Sequence, residues 1–281
     1  MKLIGWMLAL LLTGGAGLQA DEIAAPVLKG PFIQGGLVIG QVATGASVQL
    51  GSQTVAVSDA GQFSLGFDRD APATMLLRVK HPDGKTQQQN LSIAPREYNI
   101  QRIEGIAKAI MSPSTTDLKR IRQEAALVRK ARAQKIIRSD FAGPFQWPLT
   151  GPITGVFGSQ RVYNGKPGRP HYGVDVAATT GTAISTPAPG VVTLAHSNMF
   201  YSGGTLIIDH GFGLSSTFLH LSKVLVNVGD EVSPGDIVAQ VGATGRATGP
   251  HLDWRMNWYQ ARIDPQLLVP EMNVKESKND R

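Results

Sequence analysis

The chain has 281 residues, of which 42% are hydrophobic and 17% charged, and its net charge is +6. This composition excludes a wholly disordered chain and is sufficient for two folded domains. The chain contains no cysteine, which excludes disulfide bonds, thiolate nucleophiles and cysteine-based zinc sites.

The first 20 residues have the pattern of a secretory signal peptide. Lys2 supplies a positive charge, residues 3–12 form an apolar run, and a stretch of small residues ends at Ala20. The run is too short to span a bilayer comfortably, although Leu18 lies where a cleavage site prefers a small residue and leaves an uncleaved anchor as the alternative. Because no later stretch is apolar enough to cross a membrane, we expect an exported protein of the periplasm or cell envelope.

Residues 21–102 are predicted to form a small β-sandwich of immunoglobulin-like kind. Short apolar runs alternate with turn-forming segments such as residues 58–61 and 81–84. The segment shows no candidate chemistry. It would act as a spacer, a partner-binding module or a cover for a groove in the next domain.

Residues 103–142 are predicted to form a basic helical linker. Ser114 and Asp117 have the spacing of a capping box, and apolar residues follow at helical intervals. Residues 115–138 carry eight basic side chains and two acidic ones, an excess equal to the charge of the whole chain. The helix is either a solvated connector or a contact for an anionic membrane surface or envelope polymer. For an exported protein we expect no nucleic-acid partner.

Residues 143–270 are predicted to form a compact antiparallel β domain with an open cleft, followed by a polar tail at 271–281. Short apolar runs separated by glycine and proline favour strands throughout this region. Residues 228–239 resemble the barrel-sandwich hybrid modules that carry biotin or lipoate. They lack the lysine that such modules display, so the similarity concerns the fold alone.

Two pairs of polar residues in this domain have the spacing of metal ligands. Residues 172–177 read as a strand, which places His171 and Asp175 on one side, and the alternation of a strand does the same for His251 and Asp253. Nitrogen and carboxylate donors of this kind suit zinc, which in catalytic sites takes three protein ligands and leaves a position for water.

From about residue 147 to 268 the order of these motifs resembles the lysostaphin-like or LytM-type zinc metallopeptidases, which cut peptide bonds in bacterial cell walls. The resemblance implies one zinc ion held by His171, Asp175 and residue 253, with His220 and His251 as the catalytic histidines. It implies that the substrate is the peptide part of peptidoglycan.

Arg161 and Asn164 precede the first ligand in a segment expected to border the cleft. They are candidates for contacting a carboxylate or the backbone of the substrate, or else they only order the loop. The sequence does not specify an oligomeric state.

Position 253 departs from the family pattern, because it holds Asp253 where the family has histidine. Two carboxylates cancel the charge of a divalent ion, and such a centre polarises water less strongly. Three interpretations of the site therefore stay open: an active enzyme with an adapted site, a weak or metal-selective enzyme, and a relic that binds its target without cutting it. The competing functional class is a weak or inactive envelope protein that binds and regulates another cell-wall hydrolase.

Overall fold

The computed structural model describes residues 25–103, 114–134 and 136–272. Over these residues the protein is mainly β, with one α-helix. The predicted signal peptide lies outside the described residues, and so does the polar tail from residue 273 onward. None of the described helices combines the length and the apolar character that crossing a membrane requires.

Seven strands form two antiparallel sheets in the N-terminal part of the chain, in the orders β1-β2-β5 and β4-β3-β6-β7. Alternation along the strands builds their core, since Leu77 and Val79 of β6 are both 1% exposed while their neighbours face outward. The immunoglobulin-like arrangement of these sheets stays a prediction. The strands are β1 (Val27–Lys29), β2 (Leu37–Gln41), β3 (Ser47–Leu50), β4 (Gln53–Val55), β5 (Gln62–Gly66), β6 (Thr74–Lys80) and β7 (Thr86–Ser92).

The basic segment forms a helix, α1 (Thr115–Arg132), that starts with the predicted capping box. The Ser114 side chain accepts a hydrogen bond from the backbone N–H of Asp117, and the Asp117 carboxylate accepts one from the backbone N–H of Ser114. Val128 and Ala131 pack on a separate small apolar cluster of the C-terminal part, formed by Leu194, Met199 and Ile207. The helix is therefore docked along one side and solvated along the other.

The helix is shorter than the predicted 115–138, because tertiary contacts redirect the chain after Arg132. The Ala133 N–H closes the last turn on the carbonyls of Arg129 and Lys130. The carbonyl of Ile136 then accepts a hydrogen bond from the N–H of Phe212, at 3.3 Å. Beyond Ala133 the chain is thus held by a β-hairpin turn and not by helical hydrogen bonds.

The C-terminal strands form one large sheet and two small ones. The large sheet has the order β18-β14-β15-β16-β20-β12-β9, with β21 also paired to β20, and the small sheets are β13-β19-β17 and β11-β10-β8. The strands are β8 (Ile100–Ile103), β9 (Ile153–Gly155), β10 (Gln160–Tyr163), β11 (Lys166–Pro167), β12 (Gly173–Ala177), β13 (Ala183–Ser185), β14 (Gly190–Met199), β15 (Gly203–Asp209), β16 (Leu214–Leu221), β17 (Lys223–Val224), β18 (Glu231–Val232), β19 (Ile237–Gln240), β20 (His251–Trp258) and β21 (Ala261–Ile263). Short 3-10 helices occur at Asp140–Ala142 and Pro265–Leu267.

The N-terminal strands and the large sheet share one continuous hydrophobic core. Trp258 of β20 donates a hydrogen bond from Nε1 to Ser64 Oγ of β5 at 3.1 Å. Gly66 permits this approach, because a Cβ at that position would lie 2.5 Å from the Cβ of Trp258. Arg96 and Asp264 add an ion pair of 2.8 Å across the same junction. The two parts therefore support each other behind strand β20.

A second junction lies at β8, which pairs in parallel with β10 of the C-terminal part. The segment predicted to end the first domain thus contributes a strand to a hairpin of the last one. The domain boundaries themselves stay predictions.

The end of β15 buries two titratable side chains. Burial raises the pKa of Asp209 from 3.8 to about 6, while the hydrogen bond from the Gly211 N–H opposes the shift. Burial likewise lowers the pKa of His210 to about 4; its Nδ1 lies 2.6 Å from the carbonyl of Pro189 and its Nε2 lies 2.8 Å from Ser216 Oγ. Both groups therefore favour the neutral form.

Replacing Asp209 by asparagine is expected to change how stability depends on pH. The folded-state pKa of Asp209 is raised, so its contribution to stability is present at pH 4 and is lost as the pH rises through about 6. Asp209→Asn keeps an oxygen that accepts from Gly211 and does not titrate. Relative to wild type, the variant should gain up to about 3 kcal/mol of unfolding free energy between pH 4 and pH 7. Urea unfolding of both proteins at unit pH steps measures this, and parallel curves would contradict it.

Candidate metal centre

Strands β12 and β20 bring the two predicted ligand pairs together by their register. In this antiparallel pairing Asp175 lies directly opposite Asp253. The opposite face of the same two strands carries Val174 and Leu252, both 0% exposed. Strict alternation therefore drives the apolar residues into the core and leaves the two carboxylates together on the other face of the strands.

The three predicted ligands, His171, Asp175 and Asp253, direct donor atoms into one small space. One donor atom each from His171, Asp175 and Asp253 lies within 4.8 Å of the other two. A zinc ion bonds each ligand atom at about 2 Å, so two of its ligand atoms lie up to about 4 Å apart. The spacing of the three donor atoms is close to that distance. His171 Nε2 and Asp175 Oδ1 lie 3.1 Å apart, and both atoms are buried without a hydrogen-bond partner. Buried polar atoms are rarely left unsatisfied, so the donor set fits a bound cation.

Glycine makes room for the first carboxylate. A Cβ at Gly155 of β9 would lie 2.3 Å from Asp175 Oδ2. Strand β9 pairs with β12 at this point, where Gly155 lies opposite Asp175. Any larger residue at 155 would push the Asp175 side chain out of the position that it holds.

The second carboxylate is held by an arginine on its own strand. Arg255 Nε donates to Asp253 Oδ1 at 2.9 Å, and its Nη2 donates to Oδ2 at 2.5 Å. Residues two apart on a strand share a face, and Gly173 opposite Arg255 leaves the space that the side chain needs, since a Cβ there would lie 2.6 Å from Arg255 Cγ. Each carboxylate oxygen has more than one acceptor site, so Arg255 does not exhaust Asp253 as a ligand.

This pair sets the ionisation state of Asp253. The residue is 2% exposed, and burial alone would raise its pKa. The charge and hydrogen bonds of Arg255 outweigh burial, so the pKa of Asp253 is lowered. Arg255 therefore favours the ionised form of Asp253 and adds a positive charge beside the centre that the residue patterns did not indicate.

His220 reaches the centre through an unusual backbone conformation. Its φ is +63°, a left-handed value that is uncommon outside glycine. Regular alternation would place it on the core face with Phe218, so the left-handed residue breaks that alternation at the end of β16. Its Nδ1 lies 2.8 Å from the carbonyl of Thr244, which fixes Nδ1–H as donor and leaves Nε2 as an acceptor. Burial lowers the pKa of His220, a shift that the Thr244 carbonyl opposes only in part.

His251 stands beside His220 in the same tautomeric arrangement. Its Nδ1 lies 2.8 Å from the carbonyl of Gly249, and its ring centroid lies 4.9 Å from that of His220. Its Nε2 is 3.8 Å from Asp175 Oδ1. The five residues singled out from the sequence therefore form one cluster, with two imidazole rings beside three ligand candidates.

The two predicted substrate contacts lie on the β10–β11 hairpin. Arg161 is exposed on β10, and its Nε donates to Gln101 Oε1 of β8 at 3.2 Å. Asn164 follows β10 with a φ of +48°, as a turn residue. A role in substrate binding stays a prediction for both.

Residue patterns alone did not identify three supporting groups: Arg255, Gly155 and the Thr244 carbonyl. The sequence could have predicted the role of Arg255, because an aspartate and an arginine two residues apart on a strand lie on the same face and can pair. Gly155 and Thr244 had none, since their roles depend on contacts between segments far apart in sequence.

The chain is similar to known peptidases in the region that contains this cluster. Residues 169–265 match the family model described as peptidase family M23, a stretch that includes all five clustered residues. A crystal structure from Pseudomonas aeruginosa, assigned provisionally to peptidase M23, superposes with a TM-score of 0.66 at 28% identity and covers 84% of this chain and 93% of that one. The fold likeness thus extends beyond the matched family region.

Two curated relatives match about a third of this chain. The peptidoglycan DD-endopeptidase ShyA of Vibrio cholerae is 41% identical over 114 residues, which cover 38% of this chain and 26% of that protein. The DD-carboxypeptidase/endopeptidase Mpg of Neisseria meningitidis is 38% identical over 102 residues, which cover 36% of this chain and 22% of that protein. The matched stretch is therefore about a quarter of each relative.

Replacing Arg255 by methionine is expected to destabilise the metal-free protein by about 3–5 kcal/mol, because it leaves the buried Asp253 carboxylate unpaired. The measurement is urea unfolding at pH 7 in the presence of a chelator. Arg161→Met is the matched control, since an exposed arginine should change stability by no more than about 0.5 kcal/mol. Equal, small effects of both substitutions would show that Arg255 does not stabilise Asp253.

Proposed function

Residues 169–265 of this chain form a peptidase family M23 domain, and we propose that the protein is a zinc-dependent endopeptidase that hydrolyses peptide bonds in peptidoglycan. The observation that carries the proposal is the convergence of His171, Asp175 and Asp253 around one space, in which buried donor atoms lack partners. The names of the Vibrio cholerae and Neisseria meningitidis relatives support the substrate class.

The three ligand candidates would hold one zinc ion. When bound, zinc supplies a Lewis acid that polarises the scissile carbonyl and lowers the pKa of a water molecule. Asp175 and Asp253 together cancel the two charges of the ion, and Arg255, within hydrogen-bond distance of Asp253, returns one positive charge to the centre. This compensation answers the objection that a centre with two carboxylates is too weakly electrophilic.

The two histidines supply proton transfer. Each ring donates a hydrogen bond from Nδ1 to a backbone carbonyl. When the ring is neutral, its Nε2 therefore has a lone pair that can accept a proton. One takes the proton of the attacking water and the other, once protonated, donates to the leaving amine or the developing oxyanion. The lowered pKa of His220 keeps it neutral at pH 7, the state that a base requires.

Other parts of the proposal rest on the sequence. Arg161 and Asn164 are proposed substrate contacts at the hairpin, and the exposed side of α1 is a proposed contact for an anionic envelope surface. Export through residues 1–20 would place the protein with its proposed substrate.

The central test is incubation of the purified protein with cell-wall sacculi, with and without a chelator. We expect chelator-sensitive release of peptides, and His220→Ala should reduce turnover by about 10²–10⁴-fold while most of the zinc is retained. His196→Ala is the control, because His196 accepts a hydrogen bond from the Asn198 N–H on β14 and should leave turnover unchanged. Loss of all zinc in His220→Ala would contradict the role given to this residue.

The alternative is a non-cutting regulator. The observation that favours it is that both oxygens of Asp253 accept hydrogen bonds from Arg255, which competes with a metal ion for this ligand. It predicts no peptide release by the protein alone, together with stimulation of a separate cell-wall hydrolase.

Restoring histidine at position 253 is expected to work only in combination with a second change. Asp253→His removes the partner of Arg255 and leaves a half-buried guanidinium beside the ion, so zinc should bind at least about tenfold more weakly than in wild type. Asp253→His/Arg255→Met removes that charge and should bind zinc tightly. Competition with a fluorescent zinc chelator measures both affinities, and equal affinities of the single and double variants would refute the coupling.

A further inference from the structure

Three guanidinium groups gather beside the candidate metal centre, on the open face of β16 and β20. Arg132, at the end of α1, donates from Nη2 to Thr217 Oγ1 at 3.0 Å, and Thr217 is the cross-strand neighbour of Arg255. Arg262 of β21 is the cross-strand neighbour of Asn257 and donates from Nη1 to its Oδ1 at 3.2 Å. Since Arg255 and Asn257 are two apart on β20, the three arginines occupy one patch.

The positive charges of this patch are only partly matched. Arg255 is paired with Asp253. Among the described residues, no ion pair joins a carboxylate to Arg132 or to Arg262. Asp68 lies near Arg262, but its carboxylate accepts from the backbone N–H of that residue. The patch therefore has more guanidinium groups than carboxylates to neutralise them.

Arg132 is the least satisfied member. Its Nε is buried and has no hydrogen-bond partner. Burial, together with the charges of Arg262 and Arg255, lowers its pKa to about 9. A buried donor without an acceptor is costly, and a guanidinium is best satisfied by a planar anion that accepts from two N–H groups. The side chains that surround Arg132 thus lack the acceptor that its geometry calls for.

The patch borders the centre through Arg255, which pairs with Asp253, and through Tyr172. The guanidinium of Arg262 lies over the ring of Tyr172, 4.9 Å from its centroid, and Tyr172 directly follows the ligand candidate His171. Arg132, Arg262 and Tyr172 are all half-buried, so the patch is open to solvent above a floor of buried Thr217 and Asn257.

We propose that Arg132 and Arg262 form a binding site for a carboxylate group of the peptide that the neighbouring centre cleaves. The inference rests on the proposed peptidase function for the source of the carboxylate. The site itself is defined by the unmatched guanidinium groups. It makes the end of helix α1 part of the substrate-binding surface and assigns the unmatched guanidinium groups of Arg132 and Arg262 to the bound anion.

The test measures binding separately from catalysis, with full-length protein stripped of metal by a chelator. The probes are stem peptides released from peptidoglycan, the same peptides after chemical amidation of their carboxyl groups, and inorganic phosphate. By calorimetry, the acidic peptides should bind at least tenfold more tightly than the amidated ones. Arg132→Gln and Arg262→Gln should each remove most of that difference, and Arg129→Gln, an exposed arginine on the same helix, should not.

Several outcomes would overturn the proposal. These are equal binding of acidic and amidated peptides by wild type, an unchanged preference in both glutamine variants, or binding of phosphate as tight as that of the acidic peptides. Urea unfolding shows whether the glutamine variants are folded, and a conservative Arg132→Lys variant should retain part of the preference.

The same measurements separate this proposal from the proposed enzyme. If the zinc-loaded protein cleaves sacculi but shows no carboxylate preference, only the carboxylate site fails. If the preference is present but no peptide is released, the hydrolase proposal fails and the carboxylate site stands. In an active enzyme, Arg132→Gln should raise KM about tenfold with a smaller change in kcat, since Arg132 does not touch the reacting atoms.

Discussion

Two carboxylates that face each other across adjacent strands are the constraint on which the site depends. Asp175 and Asp253 are direct partners in the β12–β20 register, and like charges in that position repel. The pairing persists only if positive charge is supplied nearby. Arg255 supplies it from one side, and a cation held between the carboxylates and His171 would supply it from the other. The repulsion that opposes this strand pairing would thus also favour binding of the proposed cation.

The surrounding structure fixes these charges with little freedom. Gly155 and Gly173 leave the space that the Asp175 and Arg255 side chains occupy, and the buried residues on the reverse of β12 and β20 prevent a slip in register. Behind β20, Trp258 donates a hydrogen bond to Ser64 of the N-terminal strands. The N-terminal part is therefore a support for the strand that carries three residues of the site, in addition to any role in binding partners.

The sequence predicts those features of the fold and the site that neighbouring residues determine, and it misses those that depend on contacts between distant segments. The placement of the two His and Asp pairs on one face needs only the two-residue period of a strand, so it was predictable. The left-handed conformation of His220 was not, because no local glycine or turn signal marks it. Helix α1 ends six residues before the predicted end at Arg138. The basic pattern continues beyond the helix, but the segment that follows is hydrogen-bonded to the β15–β16 turn and is not helical. The residue patterns did not indicate Arg255, because a charged residue on a strand is expected to be exposed to solvent as long as its partner is unknown.

The space beside Gly173 has a consequence for how substitutions in this domain are interpreted. Adding one methyl group at 173 removes no side chain of the centre, yet the new Cβ would lie 2.4 Å from the carbonyl oxygen of Trp254, 2.6 Å from Arg255 Cγ and 2.7 Å from Asp253 Oδ1. Such a variant would keep every residue of the centre and displace both Asp253 and the arginine that neutralises it. An effect of alanine at this position would therefore report a shifted ion pair, although no residue of the centre had been replaced.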